Sequence, residues 1–200
     1  MLVDGSARPS VLSEKGYLGP TIRGTALIPL QPFIEGRFGT SSWAAFLHQL
    51  PEETRDIYER PLIASVAYPL SAALDAIDSL VRLAGGGSTL REFAVFNLDF
   101  ATKMVFRAIF KLGSPEFMVA RSDQVWRKLY SHGRMSCATS RGRAIVQLHG
   151  FQGLRPNYDR LLLHSVEAVL IKAGAKMRGA EQVRCILRGD PCCELSYVWT

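Results

Sequence analysis

Three of the chain's four cysteines fall within nine residues close to its C-terminal end. They stand in the stretch "CILRGDPCCELSYVW", where seven residues separate Cys185 from Cys193 around an Arg-Gly-Asp-Pro turn. Cysteine thiolates are good ligands for zinc, and a structural zinc site has four ligands. Because residues 185 and 193 have the same parity, their side chains can share one face of two paired strands. The spacing therefore permits a zinc site that contains this pair.

A disulfide and plain packing are the alternatives to a metal at these cysteines. A bond between Cys192 and Cys193 would be strained, because adjacent Cα atoms lie only about 3.8 Å apart. Free cysteine is among the residue types most often buried in protein cores. We therefore weigh a zinc pair at Cys185 and Cys193 against two small core residues, and we favour the core residues.

The elements that must position these cysteines follow from hydrophobic periodicity. Helices are predicted near residues 42–50, 70–84, 88–113 and 115–130. The segment 21–33 is either an edge strand or the approach to a helix. A strand pair around Arg141 and Gly142, a helix and a last strand pair at 181–187 and 192–199 follow. This order predicts an α+β fold, with N-terminal helices on a twisted antiparallel sheet whose two hairpins flank a helix. We expect a flexible leader over residues 1–20 and one domain over residues 21–200.

The predicted helix at 88–113 is apolar on nearly every side, which is typical of a helix at the centre of a domain. Its aromatic and methionine side chains, with those of the next helix, are typical of a cavity for a small apolar ligand such as an aromatic molecule or a lipid chain. We place that cavity between this helix and the sheet. The candidate lining residues are Phe96, Phe100, Met104, Trp126 and Tyr130. Simple core packing would use the same residues.

The chain is basic, with 24 Lys and Arg against 18 Asp and Glu and a net charge of +6. Part of the excess lies between residues 121 and 143, but no helix-turn-helix pattern or interleaved aromatic residues accompany it. We expect a solvated face or a protein contact there, and no nucleic-acid partner. The chain has no apolar run of 18 residues and no secretory signal pattern, so we expect a cytoplasmic protein without a membrane span. It also has no nucleotide-binding loop and no H-E-x-x-H motif, and we expect no enzymatic activity.

Several longer motifs, taken in order, resemble a known group of proteins. They include "IRGTALIPLQPFIEGRFGTSSWAAFLHQLPEE", "LGSPEFMVARSDQVW" and "CILRGDPCCELSYVW". From about residue 21 onward the chain resembles a paralogous family abundant in Myxococcus and Stigmatella. That family is similar to a wider fold group of haem-nitric-oxide-binding sensor domains, vinyl-reductase-type (4VR) ligand-sensing domains and vesicle-tethering TRAPP subunits. The resemblance implies a non-catalytic sensory or regulatory module of bacterial signalling. The alternative that it implies is a homodimeric protein–protein interaction module.

The resemblance also has implications for haem. In the haem sensors a Tyr-x-Ser-x-Arg motif holds the haem propionates, and the corresponding stretch here is "LHGFQGLRP". Gly150 and Gln152 stand where the Tyr and Ser would be. The nearest histidine upstream, on the preceding helix, is His132, at the very end of that helix. We therefore expect no haem.

For zinc the resemblance is more favourable. The vinyl-reductase-type sensors hold zinc with a Cys-x7-Cys hairpin, and Cys185 and Cys193 match that spacing. A nearby carboxylate could come from Glu181. The further cysteine of those sensors lies on the preceding helix, which here offers Asp159, His164 and Glu167 instead. Cys137 lies on the other hairpin, so a complete set of four ligands is not evident.

Overall fold

The first half of the protein is helical. The computed structural model describes residues 19–102 and 113–200, so nearly all of the predicted leader lies outside the described residues. The helices are α1 (Leu30–Phe38), α2 (Ser42–His48), α3 (Glu52–Tyr58), α4 (Leu70–Leu83) and α5 (Thr89–Ala101). Two short strands, β1 (Thr21–Arg23) and β2 (Ala67–Pro69), pair antiparallel beside them. The segment 21–33 thus holds both predicted alternatives, a short strand and then the beginning of a helix.

The helix α4 shows how the apolar pattern becomes structure. Leu70, Leu74 and Ile77 recur at helical spacing, and all three are buried. The helix ends at a glycine-rich turn in which Gly85 has a φ of 70°, a conformation that glycine adopts without strain. The predicted helix at 70–84 is confirmed.

Of the next two predicted helices, the first is described only in part and the second is divided into two. The helix α5 ends at Ala101, and the rest of the predicted helix at 88–113 lies almost wholly outside the described residues. The stretch 115–130 forms two helices, α6 (Pro115–Val119) and α7 (Ser122–Leu129). The chain bends at Arg121, whose φ of −99° and ψ of 2° depart from helical values.

The C-terminal part forms one antiparallel sheet around a helix. Its elements are β3 (Arg134–Ser140), β4 (Arg143–His149), α8 (Pro156–Lys172), β5 (Met177–Arg184) and β6 (Cys193–Trp199). The strand order is β3-β4-β6-β5, and each neighbouring pair is antiparallel. The predicted α+β fold, with two hairpins on either side of a helix, is confirmed. Alternate residues of the two central strands are buried: Ala144, Val146, Leu148, Cys193, Leu195, Tyr197 and Trp199.

The helix α8 lies between this sheet and the N-terminal helices. On the sheet side, the Tyr197 hydroxyl donates a hydrogen bond to the Leu163 carbonyl at 3.0 Å. On the other side, Arg91 of α5 binds Glu167 of α8 at 2.6 Å. A cavity beside α5 therefore faces α8 rather than the sheet itself. None of the helices in the described ranges, α8 included, is long and apolar enough to cross a lipid bilayer.

The last hairpin is wider than a tight Arg-Gly-Asp-Pro turn. The strand β5 begins at Met177 and ends at Arg184, earlier than predicted at both ends, and a 3-10 turn at Ile186–Arg188 follows it. Gly189 then takes a left-handed φ of 88°. The Asp190 carboxylate accepts a hydrogen bond from the backbone N–H of Cys185 at 2.8 Å. The turn therefore fixes the backbone at Cys185.

Candidate ligand cavity and cysteine cluster

A cavity of about 300 Å³ lies among the helices. The helices α4, α5, α7 and α8 supply most of its walls, and Met135 is the residue that the sheet contributes. This volume is at the lower end of the roughly 300–1,000 Å³ that ligand pockets occupy. Large apolar side chains dominate the lining, among them Leu30, Ile77, Phe93, Leu98, Leu161 and Val166.

Two of the five predicted lining residues, Trp126 and Tyr130, line this cavity. Phe96 and Phe100 do not. The Phe96 ring packs against Phe33, at 5.4 Å between ring centroids, and beside Phe100 at 6.4 Å. Met104 lies outside the described residues.

The reason for this difference is the rotation of α5. Each residue of an α-helix turns by about 100°, so residues three and four apart share a face. The face of α5 toward the cavity carries Phe93, Ala94, Asn97, Leu98 and Ala101. Because α5 has apolar residues on most sides, its sequence did not reveal which face meets the cavity.

Three tyrosines line the cavity, and their hydroxyls are occupied within the protein. The hydroxyl oxygens of Tyr130 and Tyr158 lie 2.8 Å apart, and the Tyr58 hydroxyl donates to the Ala72 carbonyl at 3.4 Å. Burial raises the pKa of Tyr130 to about 12 and the pKa of Tyr158 well above 10.0. The three groups are therefore neutral near pH 7, and their polar atoms are largely satisfied without a ligand.

A second cluster joins α8 to the last hairpin. One possible ligand atom from each of Asp159, Cys185 and Cys193 lies within 4.8 Å of the others, and all three residues are buried. The Cys185 thiol donates to Oδ2 of Asp159 at 3.1 Å, and the Gln182 amide donates to the same oxygen at 2.6 Å. The other carboxylate oxygen, Oδ1, is buried and has no hydrogen-bond partner among the described residues. Such an oxygen needs an explanation, and an unseen ion is one.

The thiols of this cluster are protonated when no cation is bound. Burial raises the pKa of Cys193 from 9.0 to about 12, and it also raises the pKa of Cys185. The carboxylate of Asp159 adds to both shifts, because it disfavours a second negative charge nearby. A divalent cation would reverse this balance, since metal binding displaces the thiol protons.

The other carboxylates proposed for zinc lie elsewhere. Glu181 is exposed, and Gln182 reaches the cluster in its place. A register shift between Gln182 and Arg184 adds a residue to β5. Every second residue counted back from Cys185 leads to Glu181, but because of the added residue it is Gln182 that lies beside the cluster. His164 and Glu167 contact each other at 3.2 Å, apart from the cysteines. Of the three helix candidates, Asp159 is the one that meets the thiols.

Comparison with known proteins identifies the fold. No protein-family model matches the chain, and no curated protein matches its sequence. Among solved structures, an H-NOX protein from Shewanella oneidensis in the Fe(II)NO state matches with a TM-score of 0.66 and 14% identity, over 90% of this chain and 99% of that chain. An unliganded Fe(II) H-NOX mutant from K. algicida matches with a TM-score of 0.68 and 9% identity, over 90% and 97%. An oxygen-binding H-NOX domain related to soluble guanylate cyclases matches with a TM-score of 0.62 and 11% identity, over 90% of this chain and 95% of that chain.

These likenesses confirm the predicted haem-nitric-oxide-binding fold. At such low identity they show the fold alone, because one fold serves many functions. The resemblance to the Myxococcus and Stigmatella family stays a prediction. Two of these neighbours contain iron, as their Fe(II) states say, and this stands against our expectation of no haem.

The described residues do not fit a haem held by histidine or cysteine. Haem iron takes His, Cys, Met or Tyr as its protein ligand. All four histidines and all four cysteines of the chain lie in the described ranges, and none lines the cavity. His132 stacks on Phe151, with 4.6 Å between ring centroids, outside the cavity lining. The volume of about 300 Å³ is roughly twice that of an engineered cavity that holds benzene, which is small for a tetrapyrrole.

Proposed function

We propose that this protein is a non-catalytic sensory or regulatory module that binds a small, mainly apolar ligand in the cavity among the helices, without haem. The cavity itself is the observation that carries the proposal. Protein interiors have few voids larger than a water molecule, so a space of about 300 Å³ among packed helices calls for an occupant. The H-NOX fold supports a sensing role, since one neighbour is an oxygen-binding domain related to soluble guanylate cyclases.

The walls of the cavity would allow a ligand to affect both layers of the fold. Wall residues come from α4, α5, α7 and α8, and Met135 extends the wall to the first residues of β3. The helix α7 also packs on β3. A ligand that fills the space would add contacts to all of these elements at once. Because only the folded protein has the cavity, binding would stabilise the fold by mass action.

Naphthalene is a suitable first probe, since it is apolar and is larger, by one fused ring, than the benzene that a cavity of about 150 Å³ accepts. We expect it to raise the thermal unfolding midpoint of the parent protein and to change the fluorescence of Trp126, which lines the cavity. Ala76→Leu fills part of the cavity and should weaken both effects. Failure of naphthalene and of longer alkanes to change either signal in the parent protein would refute the proposal.

Native mass spectrometry of protein made without chelators tests haem, zinc, copurified ligand and oligomeric state together. We expect a mass without haem and no Soret band after incubation with haemin. A stoichiometric haem adduct would overturn the haem-free part of the proposal.

Zinc is a candidate cofactor of the cysteine cluster. The observation that favours it is the unpartnered Oδ1 of Asp159, a carboxylate that lies close to two thiols. Asp159, Cys185 and Cys193 would bind the ion through one carboxylate and two thiolates, ligand types that zinc prefers. The ion would link the first turn of α8 to the last hairpin. The competing interpretation is that the thiols are packing residues and the Cys185–Asp159 hydrogen bond is structural.

Metal content by plasma mass spectrometry separates the two interpretations. The zinc interpretation predicts about one zinc per chain in the parent, and a large loss in Cys185→Ser, Cys193→Ser and Asp159→Asn. Cys192→Ser is the matched control, because Cys192 is also buried but does not belong to the cluster. Zero zinc in the parent as well as in the variants would establish the packing interpretation.

A homodimeric interaction module is the alternative function. Val95 of α5 and Ile171 of α8 are each 45% exposed, and these two helices pack side by side. Exposed apolar residues of this kind can mark a contact surface. Sedimentation of the parent and of Val95→Lys at high micromolar concentration tests it. A strict monomer in the parent would dismiss the dimer.

A further inference from the structure

The cavity has an exposed side, and that side is α7. Most of the lining is buried, but Gln124, Val125 and Lys128 line the cavity and are also exposed. Arg121, in the bend just before α7, lines it too and is half-buried. A ligand would therefore enter beside α7, with its apolar part directed toward the buried wall formed by α4 and α8.

We call this exposed side of the cavity its mouth, and the charged residues there all have the same sign. Of the described residues that line the cavity, the charged ones are Arg121 and Lys128, and both are cations. Neither forms an ion pair with a described carboxylate. The nearby acid on α7, Asp123, pairs with Arg127 at 2.5 Å, and Arg127 does not line the cavity. The mouth therefore keeps a local excess of positive charge.

The guanidinium of Arg121 is held in place by a neighbouring ring. Its central carbon lies 3.6 Å from the centroid of the Phe117 ring, a close cation–π contact. Stacking uses the flat face of the guanidinium and leaves its N–H donors at the edge for an acceptor. Carboxylates bind arginine through two such N–H groups at once. Gln124 and Ser122, also at the mouth, supply further polar groups.

We propose that the ligand is amphipathic, with an apolar body of about ten carbons in the cavity and a carboxylate at the mouth that binds Arg121 and Lys128. The body size follows from a volume about twice that which accepts benzene. This inference rests on the proposed function and adds the charge and shape of the ligand. Both an alkanoic acid and an aromatic acid have this chemistry.

The probes are matched sets that differ in the polar group alone. Decanoate, decanol and decylamine test the straight chain, and 2-naphthoate with 2-naphthol tests the aromatic body, each followed by calorimetry and by Trp126 fluorescence. We expect decanoate or 2-naphthoate to bind about tenfold more tightly than its alcohol, and decylamine to bind most weakly, because charge-assisted hydrogen bonds are the strong ones. The acid whose affinity exceeds that of its alcohol by the larger factor shows whether the apolar body of the ligand is a straight chain or an aromatic ring system.

The variants locate the effect. Arg121→Gln and Lys128→Gln should each weaken the acid about three- to tenfold and leave the alcohol unchanged, as loss of a partly exposed charge contact predicts. Arg127→Gln is the control, since it removes a cation of α7 that is already paired outside the cavity. Equal binding of acid and alcohol, or no change in either variant, would overturn the inference and leave the apolar cavity standing. Binding of neither acid nor alcohol would overturn the proposed function itself.

Discussion

Ala76 offers a direct test of whether the cavity exists in solution. Its side chain is 1% exposed, lies on α4 and lines the cavity. Ala72, one turn earlier on the same helix, is 0% exposed and does not line it. Replacement of each alanine by leucine adds the same three carbon atoms, in one case toward a space and in the other into packed atoms.

The expected effects have opposite signs. Three carbons buried at about 0.8 kcal/mol each contribute about 2.4 kcal/mol. Loss of leucine rotamer freedom and a slightly lower helix propensity offset about 1 kcal/mol of this gain. Ala76→Leu should therefore raise the free energy of unfolding by about 1.5 kcal/mol. Ala72→Leu should lower it by about 1–3 kcal/mol, because extra carbons strain a filled core.

Urea denaturation of the ligand-free protein measures both changes. With a slope of about 2 kcal/mol/M, the midpoint should rise by about 0.7 M for Ala76→Leu and fall by about 0.5–1.5 M for Ala72→Leu. A midpoint that falls equally in the two variants would show that the core around Ala76 is filled, and it would refute the reasoning on the cavity.

Two further predictions concern charge. Arg155→Met removes the guanidinium that binds Asp75 at 2.7 Å and Asp78 at 3.0 Å. We expect urea denaturation to show a fall of about 1–3 kcal/mol in the free energy of unfolding, against less than about 1 kcal/mol for Arg37→Met, which breaks an exposed ion pair. Equal falls in the two variants would contradict this prediction. In zinc-free protein the pKa of Cys193 is raised from 9.0 to about 12, so above pH 9 the unfolded thiol ionises while the folded one stays protonated. The stability that this group contributes is therefore complete below pH 9 and is lost as the pH rises toward 12. Cys193→Val should show a smaller fall in urea midpoint between pH 8 and pH 10, and parallel falls would argue against the shift.

The order of most helices and strands was predictable, because most local patterns had a single interpretation. Ala144, Val146 and Leu148 recur at every second position, which predicts a strand that buries one face, and the structure buries all three. The same alternation from Cys193 to Trp199 placed four residues on one face, and all four are buried. Strand patterns of this kind depend on burial of one face of a sheet, which local sequence records well.

The sites were harder to predict, because they depend on distances that local sequence does not record. Asp159 meets Cys185 across 26 residues, and the sequence offered two other acceptors on the same helix as equals. Because of the register shift in β5, the side chain that reaches the cluster is Gln182 and not the predicted Glu181. On α5, a helix with apolar residues on most sides, only its packing decided that Phe93 rather than Phe96 would meet the cavity. In each case the local sequence fitted several residues equally well, and tertiary packing determined which of them lies at the site.

The strand order also has a consequence for the speed and sequence of folding. The strands β3 and β4 meet across the two residues Arg141 and Gly142, whereas β4 meets β6 with Leu148 opposite Cys193, 45 residues further along. A short hairpin forms in about 1–10 μs, but closure of a long loop has an entropy cost that grows with its length. We therefore expect the pairing of β4 with β6 to form late, after α8 has docked. Pulse-labelled hydrogen exchange should detect a refolding species in which the amides between β3 and β4 are protected and those of β6 toward β4 are still open.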